Sequence, residues 1–127
     1  MRQTTKINNN KIEYIVKGSG DPLLFIHGGT VSYRTYLPFI DKLSEKFQVY
    51  ALSLPGAGRS SSIPLRWNHL DYGHLVNSFV QEHEIKPIIA GHSYGGAVSV
   101  ISKALYPESF EKVILFAPAG IPVKTPS

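Results

Sequence analysis

The chain has 127 residues, of which 43% are hydrophobic, and this length and composition predict one globular domain with a buried core. Its formal net charge of +4 comes from basic residues that are scattered along the chain, without the basic cluster expected for nucleic-acid binding. The absence of cysteine excludes disulfide bonds and thiol chemistry.

The N-terminal segment and the apolar runs set an expectation about location. Residues 1–6 are polar, and the apolar core of a signal peptide does not follow them. No apolar run is long enough to span a bilayer. We therefore expect a cytoplasmic protein that has neither a membrane nor a nucleic acid as its partner.

The first half of the chain is predicted to form a hairpin followed by a strand, a helix and a further strand. Asn8, Asn9 and Asn10 form a turn-prone triplet that separates the first two predicted strands. Pro55 and Gly56 stop the fourth strand. The predicted elements are strands at 4–7, 11–17, 23–26 and 48–54, a helix at 33–46, and a polar loop at 57–66.

The second half alternates helices and strands. The predicted elements are helices at 70–83 and 94–106, strands at 87–90 and 112–117, and a tail rich in proline and glycine. Two strands followed by alternating strands and helices predict an α/β fold that starts antiparallel. We expect a mainly parallel sheet with helices on both faces.

The segment Gly91-His92-Ser93-Tyr94-Gly95 is the most informative motif, because it has the pattern G-x-S-x-G between a predicted strand and a predicted helix. A serine at the tip of such a turn stands above the end of the sheet with its hydroxyl exposed. The backbone N–H of the residue that follows it faces any carbonyl group that the serine attacks. Glycine on either side relieves the crowding in a turn this sharp. The motif therefore predicts a nucleophilic serine at position 93.

Two other interpretations of this turn stay open at this point. The serine could be idle in a glycine-rich packing turn. Alternatively, the segment 91–96 is a degraded form of the dinucleotide-binding pattern G-x-G-x-x-G, which expects an acidic residue about twenty positions further on. The next predicted strand ends at Phe116 and Ala117 with no acid, which weakens the nucleotide interpretation.

A second glycine motif follows the predicted strand at 23–26. Glycines at 28 and 29 let backbone N–H groups approach a ligand closely, as an oxyanion hole requires. His27 precedes them, and a lone histidine in such a place is more often a hydrogen-bonded structural residue than a base.

Three segments together resemble the serine-nucleophile branch of the α/β-hydrolase superfamily, and they occur in the order of that family at 23–29, 52–61 and 91–96. The resemblance implies that Ser93 is the nucleophile. It implies that the N–H groups of Gly29 and Tyr94 form the oxyanion hole. It implies hydrolysis of a small carboxylic ester or related acyl substrate through an acyl-enzyme, with no cofactor and no metal. The residues expected to shape the site are His27, Gly28, Gly91, His92 and Gly95.

The chain also departs from that family, which places its acid after the sixth or seventh strand and its histidine after the eighth. Here the sixth predicted strand is the last, and no histidine follows His92. We therefore expect residues 1–127 to form a single, C-terminally truncated hydrolase domain without the triad acid and histidine. The alternative is a non-catalytic module of the same fold that binds a ligand or a partner.

Two further expectations follow from these departures. Ser53 and Ala57 stand where the family usually has aspartate and histidine, so the rim of the site is expected to differ. The strand Val113–Phe116 would leave one edge of the sheet bare. We expect that edge to be covered by a second copy of the chain, by a separate C-terminal fragment or by the tail at 121–127.

Overall fold

A computed structural model of the chain describes residues 2–29, 31–64 and 66–116. These residues form one six-stranded sheet with helices on both faces. The strands are β1 (Arg2–Ile7), β2 (Asn10–Lys17), β3 (Pro22–Ile26), β4 (Gln48–Leu52), β5 (Ile88–His92) and β6 (Val113–Phe116). The helices are α1 (Leu37–Leu43), α2 (His69–Glu82) and α3 (Tyr94–Leu105), with 3₁₀ turns at Tyr33–Tyr36 and Pro107–Ser109.

The strand order is β1-β2-β4-β3-β5-β6. The hairpin strands β1 and β2 pair antiparallel, and β2 pairs antiparallel with β4. The strand pairs β4–β3, β3–β5 and β5–β6 are all parallel. The predicted α/β class, with an antiparallel start and a mainly parallel sheet, is therefore confirmed.

Strand β3 shows how the sequence divides the core into two layers. Its side chains alternate between the two faces, as the period of two in a strand requires. Leu23 and Phe25 pack on the face covered by α1, whereas Leu24 and Ile26 pack on the face covered by α2 and α3. All four are almost fully buried, which explains why the strand is apolar without interruption.

Two predicted elements differ from the observed ones for local reasons. The helix expected at 33–46 is divided into the 3₁₀ turn and α1, and Pro38 lies in the first turn of α1, where its missing N–H costs nothing. The strand expected at 48–54 ends at Leu52. Beyond that point the chain leaves the sheet, and the N–H of Leu54 donates to the His27 side chain instead of to a neighbouring strand. The predicted strand residue Ala117 lies outside the described residues.

The parallel strands place their carboxyl ends along one edge of the sheet. Strands β3, β4 and β5 end there at Ile26, Leu52 and His92. In open α/β sheets ligands bind at this edge. The two glycine motifs and the loop after β4 all start there, so the fold brings the three sequence motifs together.

Candidate active site

Ser93 lies in the sharp turn that joins β5 to α3. Its backbone has φ 58° and ψ −122°, a conformation that residues with a side chain rarely adopt. Such backbone strain costs about 1–3 kcal/mol and persists only where the surroundings enforce it. The strained serine is the backbone signature expected of a nucleophile turn.

The glycines on either side of Ser93 leave no room for a side chain. A Cβ atom at Gly91 would collide with the carbonyl group of Gly95, and one at Gly95 would collide with the carbonyl oxygens of Ile26 and His27. At Gly96 the nearest atom would be Cδ2 of Leu115 at 3.4 Å, an ordinary contact. The close approach of α3 to the ends of β3 and β5 therefore depends on Gly91 and Gly95.

The hydroxyl of Ser93 is exposed and does not cap α3, although serine at this position usually accepts a hydrogen bond from the first helical turn. The strained backbone directs the side chain away from that role. The N-terminus of α3 also carries a partial positive charge that stabilises a nearby anion. The turn therefore presents a free hydroxyl beside a helix N-terminus.

The two predicted oxyanion-hole residues are neighbours. A Cβ atom built on Gly29 lies 3.8 Å from Cβ of Tyr94, and one built on Gly28 lies 3.3 Å from Cβ of Ser93. As the first residue of α3, Tyr94 has no carbonyl group within the helix to which its N–H could donate. The N–H of Gly29 likewise has no acceptor among the residues that the structure describes. Within the described ranges, these two neighbouring residues therefore have backbone N–H groups without a hydrogen-bond acceptor.

His27 is buried, and both of its ring nitrogens bind the backbone. Nδ1 lies 2.5 Å from the carbonyl oxygen of Gly28, and Nε2 accepts a hydrogen bond from the N–H of Leu54 at 2.9 Å. This pattern requires a neutral ring with its proton on Nδ1. Burial lowers the pKa of His27, and the hydrogen bond to Gly28 opposes that shift in part. The ring therefore joins the loop after β3 to the loop after β4.

His92 is half-buried at the end of β5 and points to the 3₁₀ turn before α1. Its Nδ1 lies 2.7 Å from the hydroxyl of Tyr36, which also accepts a hydrogen bond from the N–H of Gly28 at 3.1 Å. Sequence reasoning missed Tyr36. Its only signal was an aromatic residue in the apolar pattern of a predicted helix, which indicates burial and not a bridge between two loops.

Sequence reasoning also missed Glu13, which is fully buried and supports the rim of the site. Its carboxylate accepts hydrogen bonds from both terminal nitrogens of Arg34 and from the N–H of Arg59 at 3.1 Å. The hydrogen bond to Glu13 raises the pKa of the Arg34 guanidinium. The hydroxyl of Ser53 donates to the same carboxylate at 3.5 Å. Position 53 is the one at which the α/β-hydrolase superfamily usually has an aspartate. The signal available was one acid among the apolar residues of β2.

A cavity of about 330 Å³ adjoins the glycines at the end of β3 and Tyr94. This volume lies at the lower end of the range for small-molecule sites. The side chains that line the cavity away from the turn are mostly apolar, namely Val31, Leu54, Pro55, Ala57, Ile63 and Tyr72. The space beside the candidate oxyanion hole therefore suits a small, largely apolar group.

The part of the chain that the structure describes has neither a metal-binding cluster nor a membrane-spanning helix. In residues 2–29, 31–64 and 66–116, no three His, Cys, Asp or Glu side chains are grouped so that they could hold a metal ion. No helix in those ranges combines the length and the apolar character needed to cross a bilayer. The cytoplasmic location stays a prediction.

The chain belongs to the alpha/beta hydrolase family, whose sequence profile matches residues 23–126. A protein of Mycobacterium phage D29, assigned by name to the non-heme haloperoxidases, is 35% identical over 105 residues, which cover 81% of this chain and 38% of that protein. The 2-(acetamidomethylene)succinate hydrolase of Mesorhizobium japonicum is 31% identical over 102 residues, covering 77% of this chain and 36% of the enzyme.

The solved structures agree with this assignment. The crystal structure of an E-2-(acetamidomethylene)succinate hydrolase superimposes with a TM-score of 0.84 at 27% identity, covering 89% of this chain and 42% of that one. This chain therefore spans well under half the length of the relatives that it matches. Related alpha/beta hydrolases are enzymes, and the predicted resemblance to the α/β-hydrolase superfamily is confirmed.

Proposed function

We propose that this chain carries the nucleophile and the oxyanion hole of a serine hydrolase that acts on small carboxylic esters or related acyl compounds. The observation that carries the proposal is the strained backbone of Ser93, which frees its hydroxyl beside the N-terminus of α3. The neighbouring positions of Gly29 and Tyr94 support it, because a Cβ atom built on Gly29 lies 3.8 Å from Cβ of Tyr94. The membership of the alpha/beta hydrolase family supports the reaction class.

In the proposed reaction, Oγ of Ser93 attacks the substrate carbonyl carbon and gives its proton to a general base. The carbonyl oxygen becomes an oxyanion, which accepts hydrogen bonds from the N–H groups of Gly29 and Tyr94. Collapse of this intermediate breaks the bond to the leaving group, which departs with the proton, and leaves an acyl-enzyme. Water then hydrolyses the ester on Ser93 and restores the hydroxyl.

We propose that the general base and its acid partner come from outside these 127 residues. His27 is unsuited to that role because both of its nitrogens already bind the backbone. Nδ1 of His92 lies at the hydroxyl of Tyr36. Loss of the base costs several orders of magnitude in rate, while oxyanion stabilisation alone retains a residual part. We expect slow, Ser93-specific chemistry from this chain by itself.

The cavity supports a proposal about the kind of substrate. Its mostly apolar lining and its volume of about 330 Å³ favour a short, apolar acyl group over a long or charged one. The 2-(acetamidomethylene)succinate hydrolases act, by their names, on a compound that carries an acetamide group. The proposal extends only that acyl chemistry to this chain.

The test is covalent labelling with a fluorophosphonate, followed by mass spectrometry of the peptides. The proposal expects one phosphonyl group on the peptide that contains Ser93, loss of the label in Ser93→Ala, and full labelling in the control Ser78→Ala, a serine on α2. Absence of label from the folded chain, together with saturable binding of an ester, would instead favour the non-catalytic ligand-binding module.

A further inference from the structure

Tyr36 lies beside the loop after β3 and the turn after β5, where the hydrogen bonds between these two strands have ended. The parallel ladder between β3 and β5 ends at the pair Ile26 and Gly91. Beyond that pair, the loop with Gly28 and the turn with Ser93 continue without ladder bonds between them. The Tyr36 hydroxyl bridges this gap, because it contacts the N–H of Gly28 at 3.1 Å and Nδ1 of His92 at 2.7 Å.

The chemistry of this bridge fixes one of its two hydrogen bonds. The N–H of Gly28 can only donate, so the Tyr36 oxygen accepts from it. The hydroxyl proton of Tyr36 is then available to Nδ1 of His92, and the inference takes this direction, which places the imidazole proton on Nε2. The chain of hydrogen bonds runs from Gly28 through Tyr36 to His92, the residue directly before Ser93.

The packing around Gly28 is tight on the side that faces this bridge. A Cβ atom at position 28 would lie 3.0 Å from the Tyr36 hydroxyl oxygen, 3.3 Å from the carbonyl oxygen of His92 and 3.3 Å from Cβ of Ser93. The Tyr36 ring is fixed in turn by Phe25, whose ring centroid lies 4.8 Å away. The hydroxyl is therefore held by a packed ring and is not free to swing.

A second contact fixes the turn that carries Tyr36. Arg34, in the same 3₁₀ turn, donates to the buried carboxylate of Glu13 in β2. The turn is thus attached to β2 on one side and, through Tyr36, to the ends of β3 and β5 on the other.

We infer that Tyr36 is a positioning residue. Its hydroxyl accepts the hydrogen bond of the Gly28 N–H, so that the N–H of Gly29 is left for the oxyanion hole. The same hydroxyl holds His92 in the Nε2–H form beside Ser93. This inference rests on the proposed role of Ser93. The hydroxyl acts through Gly28 and His92 and does not touch the acyl group itself.

The test compares Tyr36→Phe with Tyr50→Phe in the full chain labelled with ¹⁵N. Both variants remove one hydroxyl. Among the described residues, the hydroxyl of Tyr50 has Gln48, 3.4 Å away at the opposite end of the sheet, as its one hydrogen-bond partner. In the wild type at about pH 8, the inference expects a hydrogen-bonded, unprotonated Nδ1 in His92. A proton on Nδ1 overturns the assignment without the use of any variant.

The variants give two further readouts. Tyr36→Phe is expected to speed exchange of the Gly28 amide and to lower the maximal rate of fluorophosphonate labelling, each by roughly tenfold, as the loss of one hydrogen bond predicts. The half-saturating probe concentration should stay unchanged, and Tyr50→Phe should match the wild type. An unchanged labelling rate in Tyr36→Phe overturns the positioning role. If the wild type takes no label at Ser93, the proposed function fails, while the His92 tautomer and the Gly28 exchange still decide whether Tyr36 holds these groups.

Discussion

The two adjacent glycines at the start of α3 offer a matched test of the turn geometry. Gly95→Ala and Gly96→Ala change neighbouring residues of one helical turn, and neither glycine has the positive φ that would itself strain alanine. Each substitution should gain about 0.4–1 kcal/mol from the lower entropy of the unfolded chain. The difference between the two variants therefore isolates the space around each Cβ.

That space differs sharply between the two sites. A Cβ at Gly96 meets Leu115 at 3.4 Å, whereas one at Gly95 runs into the backbone carbonyls of Ile26 and His27, which cannot rotate away. Overpacking of this kind costs about 1–3 kcal/mol or more. We expect the free energy of unfolding of Gly95→Ala to be about 2–3 kcal/mol lower than that of Gly96→Ala. Urea denaturation measures this difference, and the two variants should have equal m values. Equal stabilities would refute the close approach of α3 to the end of β3.

Three further predictions concern the rim, the buried histidine and the sheet edge. Glu13→Gln should lose about 2–3 kcal/mol of unfolding free energy, because it removes the charge of a fully buried carboxylate from its partly exposed partner Arg34. Asp41→Asn, which breaks the exposed pair with Lys17, should lose under about 1 kcal/mol, and equal losses in urea titrations would contradict the role of the buried carboxylate. Burial lowers the pKa of His27 below 6.5, so the folded state binds fewer protons at this group than the unfolded state. The free energy of unfolding should therefore fall as the pH is lowered from about 7.5 to about 5.5, and His27→Gln should flatten that fall. An unchanged slope in the variant would contradict this role of His27. We also expect the edge strand β6, where Leu115 is half-exposed, to pair with a second copy or a C-terminal fragment. The backbone amides of β6 should then exchange slowly with solvent. A monodisperse monomer with fast exchange throughout β6 would oppose this.

Much of the fold could be predicted because its signals are local. The apolar run in β3 requires a strand covered on both faces, and Asn68 with Asp71 forms a capping box that starts α2 near the predicted residue. The order of strands and helices then leaves few topologies. The Ser93 turn could be located for the same reason, because its glycines lie within two residues of the serine.

The supporting residues could not be predicted because their partners are distant in sequence. Glu13 acquires its role from Arg34 and Arg59, which lie 21 and 46 positions away. Tyr36 acquires its role from His92, which lies 56 positions away. Hydropathy periodicity reports only whether a side chain is buried, so it indicates that these residues face inward but does not identify the groups they meet.

The most direct measurement of the central claim is a crystal structure of the chain phosphonylated at Ser93. The phosphonyl oxygen mimics the oxyanion of the proposed intermediate, so the account predicts that it lies about 3 Å from the backbone nitrogens of both Gly29 and Tyr94. A phosphonyl oxygen that faces solvent, with neither amide within hydrogen-bond distance, would contradict the account.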